Sequence, residues 1–426
     1  MNIYLVIILV ILVGTYLLDV VVKILNLRHQ KTQLPAEFIG FCDAEKYTRS
    51  QQYTRENTTF ALVYNTSETL FTIAFILLGG FNFFDQWARG FLYGPILTGL
   101  IYAFSLLLLA GLLNLPFEIY DTFVIEEKYG FNRTTLKTFA LDLVKNMILL
   151  TVIGTPLLAL VLWFFQETGQ AAPFYIWGAV TVFQLFMVFI APVVIFPLFN
   201  KFYPLEEGEL KEAIEKYIRQ QRFPFRGIYK MDGSRRSSRA NAFFTGFGRT
   251  RRIVLFDTLI DKHTTDELVA ILAHEIGHYR LRHFFKLTAA NIVETGLMFF
   301  LLSLFINNRA LFAAFGMEQL SVYASLIFFG FLYTPISTLI SIIMNIFSRR
   351  YEYQADAFAL RTTGKGEALI TTLKKLAVDQ LDNLTPHPLK VFLSYSHPPV
   401  LQRINAIRAA QAPERAAIHT SASPPG

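Results

Sequence analysis

The sequence predicts an all-α polytopic membrane protein, about seven transmembrane helices carrying a small α+β insertion on one membrane face. Three observations predict it. Of 426 residues, 53% are hydrophobic and only 17% charged, against about 25% charged in soluble domains, and the mean hydropathy is +0.40. Seven apolar runs approach or exceed the roughly 20 residues a helix needs to cross a bilayer. Lys and Arg gather in alternate loops, the mark of a threaded chain.

The runs cover residues 3–25, 69–84 (its start reaching back toward residue 60), 91–117, 141–165, 173–200, 287–306 and 321–347. The first has no basic segment ahead of it and no small-residue cleavage site before Asp19, so it reads as a retained helix and not a signal peptide. The second is short, and the fourth carries Asp142 and Lys145. With the N-terminus outside, the inside loops hold Lys23, Arg28, Lys31, Lys46, Arg49 and Arg55, then Lys128, Arg133 and Lys137, then the basic segment 201–286 and the C-terminal region. The outside loops hold only Arg89 and Arg309. The positive-inside rule therefore places segment 201–286 in the cytoplasm.

This threading divides the chain into a five-span region (1–200), a cytoplasmic insertion (201–286), a transmembrane hairpin (287–347), a C-terminal helical region (348–412) and a tail (413–426) expected to be disordered. The net charge of +7 does not call for nucleic acid as a partner, because the basic residues follow the inside loops. The densest cluster, Arg235, Arg236, Arg239, Arg249, Arg251 and Arg252, reads as a solvated loop near the membrane in preference to a site for an anionic lipid or a substrate carboxylate. Cys42 is the single cysteine, so no intrachain disulfide and no multi-thiolate metal site exists. Sequons at Asn57, Asn65 and Asn132 fall in inside segments and carry little weight.

Within the insertion the pattern predicts a helix at 210–221 and strands at 227–231, 240–247 and 252–256, the last two joined through a Gly-containing turn. The strand containing Asn241-Ala242-Phe243-Phe244 has two readings: an ordinary hairpin strand, or an edge strand onto which an extended peptide pairs. Downstream, Thr264 with Asp266 and Glu267 forms a capping-box pattern, and Leu268, Ile271 and Leu272 recur at helical spacing.

That helix carries His274-Glu275-Ile276-Gly277-His278. Residues four apart share a helix face, so His274 and His278 can aim at one Zn²⁺, with Glu275 beside them to take a proton from the attacking water. The rival reading is two packed histidines without metal. A catalytic zinc needs a third protein ligand and an open position. The chain leaves the pentad, crosses outward and returns through the seventh span, so Glu352, in Arg349-Arg350-Tyr351-Glu352-Tyr353-Gln354-Ala355-Asp356, emerges on the same face. Asp356, one turn on, is placed to accept a hydrogen bond from a zinc-bound imidazole. Against this stands the plainer reading that both carboxylates solvate a helix end beside Arg349 and Arg350.

These motifs resemble the CAAX prenyl protease type I family of seven-span zinc metalloproteases. Besides the pentad and the 349–356 block, the resemblance runs through LPFEIYDTFVIEEKYGFN (115–132), LFNKF (198–202), NAFFTG (241–246) and RIVLFDTL (252–259). It implies an endopeptidase that removes the last three residues from proteins ending in a prenylated Cys-aliphatic-aliphatic-X motif, with the helices enclosing a chamber whose cytoplasmic end holds one zinc. His274, His278 and Glu352 would be its ligands, Glu275 the base, and Asn241 to Phe244 the substrate-pairing edge. Ser396-His397-Pro398-Pro399 reads alone as a helix start. The resemblance implies that His397 and Arg403 lie by the active site, where a neutral His donor and a cationic Arg suit an oxyanion.

His263 and His283 read as surface or interfacial residues, His283 because five residues turn a helix by about 500°. Glu294, inside the sixth span, either lines the chamber or snorkels to an interface. The expected partners are a peptide or protein substrate, prenylated by the resemblance, and the bilayer; nothing bears on the oligomeric state. No retrieval signal ends the sequence, which favours a bacterial plasma membrane over the endoplasmic reticulum. Three rival functions remain: a quality-control zinc protease of the heat-shock type acting on unfolded chains, a protease cutting within the bilayer, and a seven-span receptor or transporter with a structural zinc.

Overall fold

The computed structural model describes residues 2–245 and 251–421. Among them seven helical segments are long and apolar enough to cross a membrane. The first is α1 (Ile3–His29), capped by the Asn2 side chain. The second, α2, spans Ala44–Leu77 and ends before Gly79, whose φ of +73° breaks the helix; a separate α3 (Gly80–Arg89) follows. This corrects the expected second span. It begins in the polar stretch after Asp43, which apolar scanning passes over, and residues 80–84 belong to the next element. The polar half of α2 finds partners inside the protein: Glu56 pairs with Lys128 at 2.7 Å, and Tyr53 donates to Glu126.

The third span is α4 (Pro95–Tyr120), extended by a π-turn at Asp121–Glu126. The fourth joins α5 (Leu136–Leu149) and α6 (Thr155–Glu167) through a π-turn at Leu150–Gly154. The fifth joins α7 (Ala172–Ile190) and the short α8 (Phe196–Phe199) through another at Ala191–Ile195. Pro156 stands straight after the second of these turns and Pro192 lies in the third. A proline lacks the amide N–H and crowds the preceding turn, and one wider i→i+5 turn absorbs that. Asp142, unexpected in a span, is answered by Arg236, which donates to it at 2.7 and 3.0 Å.

The helices pack firmly at their two ends and loosely between. At one end Phe81, Tyr102, Phe312, Phe315 and Phe328 form an aromatic floor. Between the ends lie cavities of about 550 Å³, walled by Phe71, Phe75, Phe117 and Phe331, and about 450 Å³, walled by Phe60, Pro116 and Tyr120. The helices thus enclose a chamber.

At the other end sits the insertion. Strands β1 (Phe202–Pro204), β2 (Gly227–Met231), β3 (Ala242–Thr245) and β4 (Arg252–Phe256), with helix α9 (Glu209–Gln220) between β1 and β2, form a sheet of order β1-β2-β4-β3. β2 pairs with β4 in parallel, while β3 pairs antiparallel with β4 and, among the described residues, with no other strand, so it stands at the sheet edge. The predicted strand at 240–247 is shorter than expected where it is described, and residues 246–250, with Gly246, Phe247 and Arg249, lie outside the described residues. The three-residue β1 was not foreseen.

After the short α10 (Asp257–Ile260) comes α11 (Thr265–Arg280), opened by the expected capping box: Thr264 N donates to the Glu267 carboxylate at 3.0 Å, and Glu267 N donates back to Thr264 Oγ1. Then follow the sixth span α12 (His283–Ser303), α13 (Arg309–Ala314) and the seventh span α14, which continues as one helix over Val322–Thr363. The chain ends with α15 (Gly366–Asp379), α16 (Pro388–Ser394) and α17 (Val400–Ser421). Leu268, Leu272 and Ile276 of α11 share one core with Ile253, Leu255, Leu360, Ile370 and Ile404, so insertion and C-terminal helices pack as one body. α17 runs past residue 413, where a disordered tail was expected. Ala409, Ala410, Ala412, Ala416 and Ala417 supply the strongest helix-forming residue type there.

The arginine cluster is also corrected. Arg236 is held by Asp142, Arg239 by Glu126 at 3.0 Å, and Arg251 is buried over the Tyr279 ring, its Cζ 3.8 Å from the centroid. Arg236 and Arg239 lock the insertion to the membrane helices, and Arg251 packs within the insertion, instead of standing in solvent.

Candidate metal centre

The centre is built where α11 crosses α14. Gly277 makes the crossing close: a Cβ there would lie 3.1 Å from Ala355 Cα and 3.2 Å from Ala355 O. These are backbone atoms that cannot step aside. Gly277→Ala is therefore expected to push the helices apart, costing about 1–3 kcal/mol as overpacking does, more than the roughly 1 kcal/mol that helix propensity returns. Thermal unfolding should fall and metal retention should weaken together; an unchanged metal affinity would break the link between this crossing and the site.

Across the crossing, His274 Nε2 lies 3.1 Å from His278 Nε2 and 3.5 Å from Glu352 Oε2, and His278 Nε2 lies 3.3 Å from Glu352 Oε1. These donors form the one such group among the described residues able to hold a metal ion. The triangle fits a metal. Ligand atoms about 2.1 Å from a tetrahedral zinc stand about 3.4 Å apart, and the edges here scatter around that value. Glu352 is 3% exposed, yet its Oε2 accepts no hydrogen bond and has only ion-pair neighbours, Arg403 Nη1 at 3.3 Å and His274 Nε2 at 3.5 Å.

Charged groups surround the triangle. Asp356, 2% exposed, accepts from His274 Nδ1 at 2.8 Å, so the ring's Nε2 lone pair faces the other donors. Arg403 donates to both Asp356 oxygens, Nε at 2.8 Å and Nη2 at 2.7 Å, and its Nη1 lies 3.3 Å from Glu352 Oε2. α17, which carries it, begins straight after Pro398-Pro399. His397, just ahead of those prolines, is exposed and puts Nδ1 3.0 Å from Glu352 Oε1. Burial opposes the charged form of His274, but the Asp356 and Glu352 carboxylates outweigh it and raise its pKa above the usual imidazole range. A metal must displace that proton, so apparent metal affinity is expected to rise with pH through neutrality, by up to about tenfold per unit. Chelator competition on either side of neutrality checks it.

Glu275, half-buried, lines a cavity of about 680 Å³ together with His278, Asn241, Phe243, Phe244 and Phe285. Edge strand β3 thus borders the same space as the pentad. The arrangement offers a cation site, a carboxylate base beside it, a strand edge with free backbone groups and an apolar wall. Glu294 is elsewhere, half-buried and midway along α12.

Two histidines depart from expectation. His263 is buried and donates from Nδ1 to Leu259 O at 3.1 Å. His283, read as a surface or interfacial residue, is 1% exposed, with its Nδ1 3.1 Å from His278 Nδ1. One continuous helix would turn His283 off the face of His278. The chain in fact breaks between α11 and α12 at Arg282, whose φ of +59° returns the next residue over His278. Gln354 beside it was also missed, though it stands in the block that carries Glu352.

Comparison with known proteins agrees along nearly the whole chain. Residues 23–201 match the family model described as CAAX prenyl protease N-terminal, five membrane helices, and residues 204–411 match peptidase family M48. The chain is similar to CAAX prenyl protease 1 homolog of Arabidopsis thaliana, 35% identical over 386 residues that cover 88% of this chain and 90% of that protein. It is likewise similar to the Homo sapiens homolog, 34% identical with 88% and 89% covered. Among solved structures, the crystal structure of S. mikatae Ste24p superposes with a TM-score of 0.91 at 31% identity, over 95% of this chain and 99% of that one.

Proposed function

The chain belongs to the CAAX prenyl protease family, with the catalytic region of peptidase family M48, and from this premise we propose that its metal is one zinc and its reaction the release of the C-terminal tripeptide from prenylated Cys-aliphatic-aliphatic-X proteins. It is an integral membrane metalloendopeptidase acting on peptide or protein substrates. The observation that carries the zinc reading is the triangle of His274, His278 and Glu352, whose buried Oε2 accepts no hydrogen bond.

In this reading His274, His278 and Glu352 hold the ion. Zinc bound there supplies Lewis acidity, polarising the scissile carbonyl and making water a better acid. Glu275 takes the proton of the attacking water and passes it to the leaving amine. Asn241, Ala242, Phe243 and Phe244 align the peptide along β3, whose free edge pairs with an extended chain. His397, exposed and held by Glu352 through Nδ1, presents its other face to the developing oxyanion. Arg403 acts with it: its guanidinium fixes Asp356, which fixes His274, and keeps positive charge beside the reacting carbonyl. The apolar cavity beside Glu275 receives the lipidated part of the substrate.

The same proposal divides the labour along the chain. Residues 1–200 and the hairpin 287–347 enclose the chamber, and 201–286 with 348–412 carry out hydrolysis. The alternate placing of Lys and Arg supports a cytoplasmic catalytic face.

The test is cleavage of a farnesylated peptide ending in Cys-aliphatic-aliphatic-X by purified protein in detergent, with the cut located by mass spectrometry. Release of the last three residues, and slower cleavage of the unfarnesylated peptide, is expected. An intact farnesylated peptide alongside cleavage of unfolded, unprenylated chains would replace this reading with quality-control proteolysis.

A further inference from the structure

We propose that His283 is a positioning residue of the metal centre, a neutral hydrogen-bond acceptor that fixes the tautomer and tilt of His278 through a His278–His283–Gln354 relay. The inference rests on the metal reading above and concerns a residue outside the ligand set.

The geometry leaves little freedom for the protons. For His278 to offer its Nε2 lone pair toward His274 and Glu352, its proton must sit on Nδ1. The atom facing that Nδ1 is His283 Nδ1, 3.1 Å away. Two ring nitrogens at hydrogen-bond distance share one proton, so His283 presents a lone pair at Nδ1 and carries its own proton on Nε2. That Nε2 lies 2.9 Å from Gln354 Oε1, an acceptor oriented to receive it. Each bond in the chain thus requires the next.

Packing holds the relay in register. The Tyr351 ring stacks flat on His283, centroids 4.2 Å apart and planes 9° from parallel. His283 is all but removed from solvent, so water cannot replace the acceptor. The non-glycine residue Arg282 takes the left-handed conformation, uncommon for such a side chain, and that single reversal returns His283 over His278. The two histidine ligands are therefore oriented by unlike partners, His274 by the carboxylate of Asp356 and His278 by a neutral imidazole.

Substitutions separate hydrogen bonding from packing. His283→Phe keeps the ring on Tyr351 and discards the acceptor, whereas His283→Asn places an amide oxygen near the former Nδ1 and discards the stack. Zinc affinity by chelator competition and the visible absorption of the Co²⁺-loaded protein are read with thermal unfolding. Phe is expected to weaken affinity about 10–100-fold, as loss of an outer partner does, and to shift the cobalt bands. Asn is expected to stay within about threefold of wild type.

The opposite order, with Phe matching wild type and Asn weakened, makes His283 a packing residue and overturns the proposal. If neither variant folds, Gln354→Met provides the readout: weakened affinity supports the relay and unchanged affinity refutes it. Wild-type protein that binds no zinc refutes the metal reading itself, an outcome distinct from any of these.

Discussion

Glu275→Gln is expected to abolish peptide release, lowering kcat by about 10²–10⁴, the range a positioned general base commands, while zinc content stays at one per chain. The carboxylate lines the cavity and not the triangle, so the amide removes the base without removing a ligand. The two groups are nearly the same size, and Glu275 is half-buried, so folding should be preserved. Single-turnover cleavage of the farnesylated peptide, together with metal analysis on the same sample, checks both halves. Loss of zinc along with activity would move Glu275 into the ligand set. Full activity would end the hydrolytic mechanism proposed for this site.

Glu352→Ala is expected to act by a different route, emptying the centre. Its carboxylate is the buried meeting point of His274, His278, His397 and Arg403, the last at 3.3 Å. Removing it takes away one of three metal donors and leaves positive groups facing one another in a site where Arg403 is nearly buried. Metal affinity should fall by more than the roughly 10–100-fold attached to outer partners. Breaking a buried pair from one side costs about 3–5 kcal/mol, so the melting temperature of the metal-free protein should also drop. Calorimetry with and without chelator tests it: wild type should lose stability on chelation, and the variant should be indifferent to chelator.

These expectations rest on features of unequal legibility. The pentad was readable because ligands four apart need only a helix, and the capping box at Thr264 and the spacing of Leu268, Ile271 and Leu272 announce that helix locally. Glu352 was readable by topology, since a hairpin through the membrane returns the chain to the face it left. Span two was misplaced because its first half is polar, and only folding shows that those polar residues face partners such as Lys128 and Arg239. The arginine cluster was misread for the same reason: whether an arginine is solvated depends on where Asp142, Glu126 and Tyr279 come to lie.

By itself the sequence determined what depends on near neighbours along the chain: membrane spans from runs of apolar residues, a helix from its period and cap, and two histidines on one face of it from their spacing. Tertiary structure alone decided what depends on distant segments meeting. The parallel pairing of β2 with β4 leaves β3 at the edge beside Glu275. The close approach of Gly277 to Ala355 sets the histidines against Glu352. One left-handed residue, Arg282, returns His283 over His278 against the helical period. The physical reason is common to all three: local propensities cost a fraction of a kcal/mol per residue and show in composition, whereas register, helix approach and chain reversal are chosen by packing across the whole molecule, which no window of sequence contains.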